Sequence, residues 1–128
     1  MWCRGIRGAI TVPENTGEAI LTASKELLRE LLEANEVEID DIACIWFTTT
    51  PDLNAAFPAA AARELGCVKT ALICCHEMNV PGSLPKCLRI LMLVNTEKRA
   101  DEMIHVYLKE AKCLREELNS YHTDGDIE

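Results

Sequence analysis

The spacing of apolar and polar positions divides the chain into strands and helices. Residues 2 to 12 carry isoleucine, alanine and valine between glycines, which predicts a first strand with glycine interruptions. A stripe of isoleucine and leucine at helical spacing then predicts a helix that ends near Asn35. Asn15 or Thr16 can cap this helix, and Glu18 follows Asn15 at the spacing of a capping box. We assign this helix a packing role and no chemistry.

The middle of the chain alternates strand and helix. Apolar residues predict a second strand over residues 42 to 47, an alanine-rich helix over residues 59 to 65 and a third strand over residues 67 to 75. Pro58 suits the first turn of the alanine-rich helix, and Gly66 suits its end. The threonines that leave the second strand are either hydroxyl donors in a site or half-exposed strand residues, where β-branched side chains fit well.

The segment from Cys87 to Val94 holds a single charge in an apolar run. Such a run predicts a strand that is buried on both faces. Arginine is almost never fully buried without a partner. Arg89 therefore has a buried anionic partner such as Glu77, lines a cavity for an anionic ligand, or reaches an edge of the sheet. A polar loop over residues 76 to 86 precedes this strand.

The last apolar segment fits two structures. Residues 104 to 118 carry a helical stripe, but Ile104, Val106 and Leu108 also alternate with polar side chains as in a strand. Periodicity alone slightly favours the helix. The chain then becomes polar and acidic, which predicts a flexible tail over residues 119 to 128.

Composition and charge restrict the class of protein. A chain of 128 residues with 48% hydrophobic and 27% charged residues predicts one globular domain. A domain of this size buries only about two thirds of its unfolded surface, so association with further copies is expected. The net charge of -8 argues against a nucleic-acid surface. No apolar run approaches the ~20 residues of a membrane span, and the first residues lack the apolar region of a signal peptide.

The cysteines and histidines indicate a reduced protein without a metal site. Seven cysteines are present and none forms a C-x-x-C pair. Without a secretory signal, this pattern predicts reduced thiols, mostly in the core, and a cytoplasmic location. The histidines show no zinc-ligand spacing with the cysteines, so we expect no metal and no cofactor.

Seven short motifs then occur in one order along the chain. They are Arg4-Gly5-Ile6-Arg7-Gly8-Ala9, Thr50-Pro51-Asp52-Leu53, Phe57-Pro58-Ala59 with Arg63-Glu64-Leu65, Cys74 with Glu77-Met78, Lys86-Cys87-Leu88-Arg89, His105-Val106-Tyr107-Leu108, and Leu114-Arg115. Together they resemble the small monofunctional chorismate mutase of the homotrimeric, pseudo-α/β-barrel class, with gaps only in the surface helix and the tail. The resemblance implies an α+β fold with a mixed β-sheet and packed helices, a mutase domain over residues 1 to 118, and a strand over residues 104 to 113.

The reaction that the resemblance implies is the Claisen rearrangement of chorismate to prephenate, in the biosynthesis of phenylalanine and tyrosine. It is pericyclic and needs no nucleophile, proton transfer, metal or cofactor. Chorismate is a dianion, so its site must be cationic. A fixed cation at the ether oxygen stabilises the charge that develops there in the transition state. A tight site also removes the conformational entropy of the folded enolpyruvyl arm.

The resemblance also implies a role for each matching residue of the catalytic centre. Arg89 would donate to the ether oxygen and to a carboxylate. Arg7 and Tyr107 would hold the enolpyruvyl carboxylate, because the guanidinium fork matches its two oxygens. Glu77 would accept from the ring hydroxyl with Cys74 near it, although Cys74 also fits an ordinary core thiol.

Further residues are implied for the walls and the mouth of the site. Phe57 and Ala59 would form apolar walls that a neighbouring subunit of the homotrimer donates. Arg63 and Arg115 would guard the mouth and attract the dianion. Ala60 departs from the family pattern, since lysine can occur there, and this departure shifts substrate capture towards Arg63.

Two other functions fit parts of the pattern. One is a trimeric enzyme of the small imine-deaminase kind on a similar fold, in which an arginine binds a substrate carboxylate at a subunit interface. The other is a non-catalytic trimer that binds an aromatic metabolite. The positions of Arg7, Glu77 and Arg89 match the mutase and argue against the deaminase. A spectroscopic assay of chorismate disappearance separates all three.

Overall fold

The computed structural model describes residues 1 to 115, which form a mixed five-stranded sheet with the strand order β3-β2-β4-β1-β5. The strands are β1 (Trp2–Thr11), β2 (Ile42–Thr49), β3 (Ala71–His76), β4 (Cys87–Thr96) and β5 (Val106–Leu108), and the α-helices are α1 (Gly17–Ala34) and α2 (Ala59–Glu64). The central strand β4 is antiparallel to both β1 and β2. The outer strands β5 and β3 run parallel to β1 and β2, respectively. The predicted α+β class with a mixed sheet is confirmed.

The core lies on one face of this sheet. Four alternate side chains of β4 are at most 2% exposed: Leu88, Ile90, Met92 and Val94. They pack in one cluster with leucines of α1 and alanines of α2. The odd-numbered Arg89 and Leu91 point to the other face and remain partly exposed. The prediction of a strand buried on both faces is therefore wrong for the single chain, because both helices cover the same face.

The start of α1 uses only one of the two predicted caps. Thr16 is the N-cap, and its hydroxyl accepts a hydrogen bond of 3.2 Å from the backbone N–H of Ala19. The side-chain oxygen of Asn15 instead accepts from the backbone N–H groups of Asn54 and Ala55. The predicted capping box from Asn15 is therefore wrong, since Asn15 ties the start of the helix to the loop after β2.

Strand β3 begins later than predicted. Gly66 has φ +108°, and the backbone N–H of Cys67 still donates to the carbonyl of Ala62 in α2. Residues 66 to 70 therefore complete the turn after α2 and do not extend. Glycine suits this turn because L side chains rarely adopt such a backbone conformation.

The segment after β4 is strand only over Val106–Leu108. The side-chain amide of Asn35 donates to the carbonyl of Ile104 and its oxygen accepts from the N–H of Ile104, which takes the place of a sheet partner there. Lys109 has φ 55° and ends the strand, and a helical turn covers residues 112 to 115. The strand prediction for residues 104 to 113 is therefore right only in its middle. The tail predicted over residues 119 to 128 lies outside the described residues.

No helix among residues 1 to 115 is long and apolar enough to cross a membrane.

Candidate active site

A cleft of about 610 Å³ lies on the sheet face opposite the helices. Strand register places its residues in one row: Thr48 of β2 and Ala9 of β1 flank Arg89 of β4, and Tyr107 of β5 pairs with Ala9. Arg7 stands two positions before Ala9 and therefore shares this face. Two guanidinium groups on adjacent strands thus line the same cleft, together with a phenol at its edge.

Arg4, the other arginine of β1, lies on the opposite face of the sheet. It is three positions from Arg7, and side chains at this spacing on a strand point to opposite faces. The Nε–H of Arg4 donates to the carbonyl of Lys98 at 3.1 Å, and its guanidinium lies over the ring of Trp2 at 5.1 Å from the centroid. Arg4 therefore ties β1 to the end of β4 and does not line the cleft.

Glu77 reaches the cleft from the loop that follows β3. Its backbone N–H donates to the carbonyl of Thr49 at 2.7 Å, which fixes the main chain next to β2. Its carboxylate then lies across β2, where Oε2 accepts a hydrogen bond from the hydroxyl of Thr48. The same Oε2 lies 3.3 Å from Nε of Arg89. Arg89 thus has the anionic partner Glu77 that the sequence left open as one of its roles, and it also lines the cleft.

The pairing of Arg89 with Glu77 is electrostatic more than directional. Nε of Arg89 is buried and makes no hydrogen bond, because its N–H is not aligned with the carboxylate. The Arg89 side chain as a whole is nevertheless 40% exposed. The carboxylate therefore offsets part of the positive charge, while the outer part of the guanidinium stays open to a ligand in the cleft.

An imidazole holds the main chain of Arg7. The backbone N–H of Arg7 donates to Nδ1 of His105 at 2.9 Å, so this nitrogen carries no proton. Burial lowers the pKa of His105, and the Arg7 guanidinium lowers it further. A neutral His105 thus adds a side-chain hydrogen bond next to the pair of Gly8 and Val106, which begins the β1–β5 ladder.

A small apolar cluster joins the last described segment to the cleft. Ala9, Cys87 and Ala111 are buried together, with Tyr107 and Leu114 packed against them. Burial raises the pKa of the Cys87 thiol, and the nearby Arg89 guanidinium opposes that rise. Cys87 is therefore a core thiol that helps to seat the residues around Tyr107.

The remaining predicted site residues lie elsewhere on the chain. Phe57 and Cys74 line a second cleft of about 390 Å³, and Phe57 is 75% exposed. Ala59 is buried at the start of α2, and Arg63 is exposed on the same helix. Burial raises the pKa of Cys74. Within one chain, these residues thus lie outside the cleft that Arg7 and Arg89 line.

Arg115 is exposed and does not line the first cleft, whereas its neighbour Leu114 does. Ala60, where the family pattern allows lysine, is half-buried on α2 and carries no charge.

Sequence reasoning did not single out Thr48. Among the three consecutive threonines, only Thr48 contacts the Glu77 carboxylate with its side chain. Thr49 donates to the carbonyl of Leu53, and Thr50 donates to Asp52. The alternation of side chains along a strand is the signal that could have found Thr48. Thr48 is two positions from Trp46, which is exposed, and next to a buried phenylalanine, so its side chain points to the open face.

The sheet and its cleft together define an α+β protein whose open face carries two guanidinium groups and a carboxylate in one cleft. The sequence matches the family described as chorismate mutase type I over residues 3–118. The chain therefore belongs to the chorismate mutase type I family. Its activity is that of a chorismate mutase, which is an isomerase.

Named relatives and a solved structure support this membership. Chorismate mutase AroH of Thermus thermophilus is 51% identical over 118 residues, which are 91% of this chain and 97% of the relative. Chorismate mutase AroH of Bacillus subtilis (strain 168) is 43% identical over 120 residues, which are 93% and 94% of the two chains. The solved chorismate mutase from Clostridium thermocellum superposes with a TM-score of 0.85 at 51% identity, and the match covers 88% of this chain and 99% of that one.

Proposed function

We propose that this protein rearranges chorismate to prephenate at sites that two subunits of a homotrimer share, by fixed charges and conformational restriction, without covalent catalysis. The observation that carries the proposal is the pair of guanidinium groups, Arg7 and Arg89, beside the Glu77 carboxylate in one cleft. Two cations suit a substrate with two carboxylates, and one carboxylate suits its ring hydroxyl.

Arg7 and Tyr107 bind the enolpyruvyl carboxylate in this proposal. They stand on adjacent strands at the same edge of the cleft, so a guanidinium fork and a phenol hydroxyl face one anion. Holding this carboxylate folds the enolpyruvyl arm over the ring. The substrate then loses its conformational freedom on binding and not during the chemical step.

Arg89 stabilises the transition state. The bond between carbon and the ether oxygen breaks as the new carbon–carbon bond forms, and negative charge accumulates on that oxygen. The outer guanidinium nitrogens of Arg89 donate to it and to a ring carboxylate. Arg89 stands on the central strand, with β1 and β2 paired on either side, so the donor is already in place when the charge develops.

The homotrimer completes the site. On the open face of the sheet, Trp46, Ile73 and Leu91 are 38%, 49% and 39% exposed, which leaves an apolar surface for a second copy. Phe57 and Cys74 lie in a separate cleft of their own chain. A neighbouring subunit that presents this second cleft to the first supplies the apolar wall that one chain lacks.

Two exposed arginines form the rim of the shared site in this proposal. Arg63 and Arg115 are exposed and stand at the mouth, where they attract the dianion. Without a lysine at Ala60, Arg63 takes most of this role. We place the reaction in the cytoplasm, in the biosynthesis of phenylalanine and tyrosine.

Mixing two inactive variants tests the shared site. Arg89→Ala removes the cation of the first cleft, and Phe57→Asp puts a repelling carboxylate into the second. A co-refolded mixture of the two in equal amounts is expected to regain roughly a quarter of the wild-type sites, because heterologous interfaces pair an intact first cleft with an intact second one. Mixed trimers without activity, formed from variants that fold, would place the whole site within one subunit.

The chemistry is tested by following chorismate absorbance with purified protein. Conversion to prephenate is expected without added metal or cofactor. Binding of chorismate without turnover would favour a metabolite-binding trimer, and turnover of an imine with no effect on chorismate would favour the deaminase class.

A further inference from the structure

We infer that Thr48 is a positioning residue for Glu77: its hydroxyl fixes the carboxylate so that one oxygen faces Arg89 and the other faces the substrate. The inference rests on the proposed function of this cleft. The sequence offers three threonines at the end of the second strand as hydroxyl donors, and the register of the sheet selects Thr48 among them.

The position of Thr48 is tightly fixed. Thr48 pairs with Arg89 on one side and with Cys75 on the other, so its strand cannot shift relative to either neighbour. Its β-branched side chain also has little freedom about χ1. The hydroxyl is therefore a rigid donor that stands in the row of residues crossing the floor of the cleft.

Glu77, in contrast, needs a directional partner. It follows the end of β3, where only its backbone N–H is anchored, on the carbonyl of Thr49. A glutamate side chain has considerable rotamer freedom. Arg89 does not remove that freedom, because its buried Nε lies 3.3 Å from Oε2 without an aligned hydrogen bond. The hydroxyl of Thr48 supplies the aligned contact on the same oxygen.

Both contacts fall on Oε2, and this decides what the other oxygen does. Among residues 1 to 115, no side chain or backbone N–H donates to Oε1 of Glu77. With Oε2 held by Thr48 and attracted by Arg89, Oε1 is left as the acceptor for a substrate hydroxyl. If the carboxylate could rotate, its two oxygens would compete for the arginine and the substrate.

Three variants test this role. Thr48→Val keeps the shape of the side chain and removes the hydroxyl, and we expect kcat/KM to fall about tenfold or more, in line with the loss of a hydrogen bond to a charged group. Thr48→Ser keeps the hydroxyl and should recover most of the activity. Thr96→Val is the matched control, since this threonine of β4 accepts from the N–H of Lys98 away from the cleft, and its kcat/KM should stay at the wild-type value.

A double-mutant cycle separates positioning from a merely structural effect. If Thr48 acts through Glu77, then Thr48→Val should cost no further activity in a Glu77→Ala background. Unfolding curves of all variants are measured first, and Thr48→Ala replaces the valine variant if that one does not fold.

Two results would overturn the role of Thr48. One is wild-type kcat/KM in every folded variant without the hydroxyl. The other is an equal loss of activity in the presence and absence of the Glu77 carboxylate. A wild-type protein that does not consume chorismate would instead refute the proposed function, so the two failures are distinguishable.

Discussion

At the scale of single residues, the site depends on where two guanidinium groups and one carboxylate are held. Arg89 stands between Thr48 and Ala9 in the middle of the sheet, so its backbone cannot move to accommodate a different head group. Glu77 is held from two sides, by its backbone and by a hydroxyl. In the proposed site, a substitution at one of these positions therefore changes the contact with the substrate and is not compensated by a shift of the backbone.

Substituting Arg89 tests whether charge alone is sufficient. Losing one preorganised donor typically costs roughly 10²–10³ in kcat. Arg89→Lys keeps the charge but presents a point ammonium without the planar fork, so we expect it to stay well below the wild-type rate. Arg89→Ala should be worse and should lower kcat together with kcat/KM. Steady-state kinetics on folded variants decide the point: a raised KM with unchanged kcat in Arg89→Ala would show uniform binding, not catalysis.

Substituting Glu77 tests whether its negative charge matters. Glu77→Gln keeps the size of the side chain but leaves the nearby Arg89 without its counter-charge. Glu77→Asp keeps the charge and shortens the reach. We therefore expect the glutamine variant to lose more kcat/KM than the aspartate variant. Equal activity of Glu77→Gln and the wild type would make Glu77 a structural residue.

The sequence indicates which side chains are candidates for the site, but it does not indicate which of them contact one another. A single charge in an apolar run predicts a partner, a ligand or a position at the sheet edge for Arg89, because burying an unpaired charge is costly. Register was not predictable in the same way. The sequence does not say which of the consecutive threonines faces Glu77, since this depends on how β2 aligns with β3 and β4.

At the scale of the elements, β1 is pressed between a helix and a neighbouring strand. A Cβ at Gly8 would lie 3.0 Å from Cδ1 of both Leu27 and Leu31 and 3.2 Å from the carbonyl oxygen of Val106. We expect Gly8→Ala to destabilise the fold by about 1–3 kcal/mol, since a backbone oxygen cannot give way easily. Gly17→Ala is the control, because the nearest atoms there are 3.9 Å away. Denaturant unfolding of both variants makes the comparison, and equal midpoints would contradict it.

The junction of β1 with β5 predicts a pH dependence of stability. The pKa of His105 is below its ordinary value of 6.5 in the folded protein. The unfolded chain therefore binds a proton at His105 more readily than the folded protein does. The contribution of neutral His105 to the free energy of unfolding is complete above pH 6.5 and is lost as the pH falls through the folded pKa.

His105→Asn isolates that contribution. Asparagine offers a carbonyl oxygen close to where Nδ1 accepts from Arg7, and it does not titrate. Between neutral and mildly acidic pH, the free energy of unfolding should fall less for the variant than for the wild type. The free energy of unfolding of both proteins is measured by denaturant titration at several pH values in this range. If it falls equally with pH in the two proteins, the imidazole has no such role.

Element type was largely predictable from periodicity, whereas element ends were not. The segment after β4 is an exception in type, since periodicity slightly favoured a helix there and only the family resemblance predicted a strand over residues 104 to 113. That strand is shorter than predicted because Lys109 adopts φ 55°, a conformation that is uncommon for residues other than glycine and has no signal in the local pattern. The long-range contact of Asn35 with Ile104 is likewise invisible in the sequence. Turn geometry and distant hydrogen bonds decide such boundaries.

At the scale of the whole molecule, the apolar surface beside the cleft predicts association. Ile73 lies next to Trp46 in the β2–β3 pairing and is 49% exposed. Ile73→Asp would place a charge in the proposed interface, so we expect light scattering to give a monomer where the wild type gives a trimer, with activity lost. Val68→Asp, at an exposed position in the turn before β3, should leave both unchanged. A trimeric and active Ile73→Asp protein would exclude this face as the contact.

The proposed trimer rests on the family resemblance, and the composition alone does not predict the number of subunits. Composition gave a small domain that leaves much of its surface uncovered, but no apolar periodicity distinguishes a strand face that meets solvent from one that meets another subunit. The structure of one chain adds the location of the open apolar surface. The complementation and light-scattering experiments test whether a second copy of the chain covers this surface.

The alternation along β4 has a consequence for changing this enzyme by random mutagenesis and selection. Leu88, Ile90, Met92 and Val94 support the fold, while Arg89 and Leu91 between them face the cleft. Neighbouring codons of β4 are thus under different selection: one supports the folded protein, and the next changes the proposed site. A library restricted to the cleft-facing codons would vary the proposed site and leave the core unchanged, so fewer of its variants should fail to fold. Improvements found on the two faces should combine additively unless they contact the same neighbour.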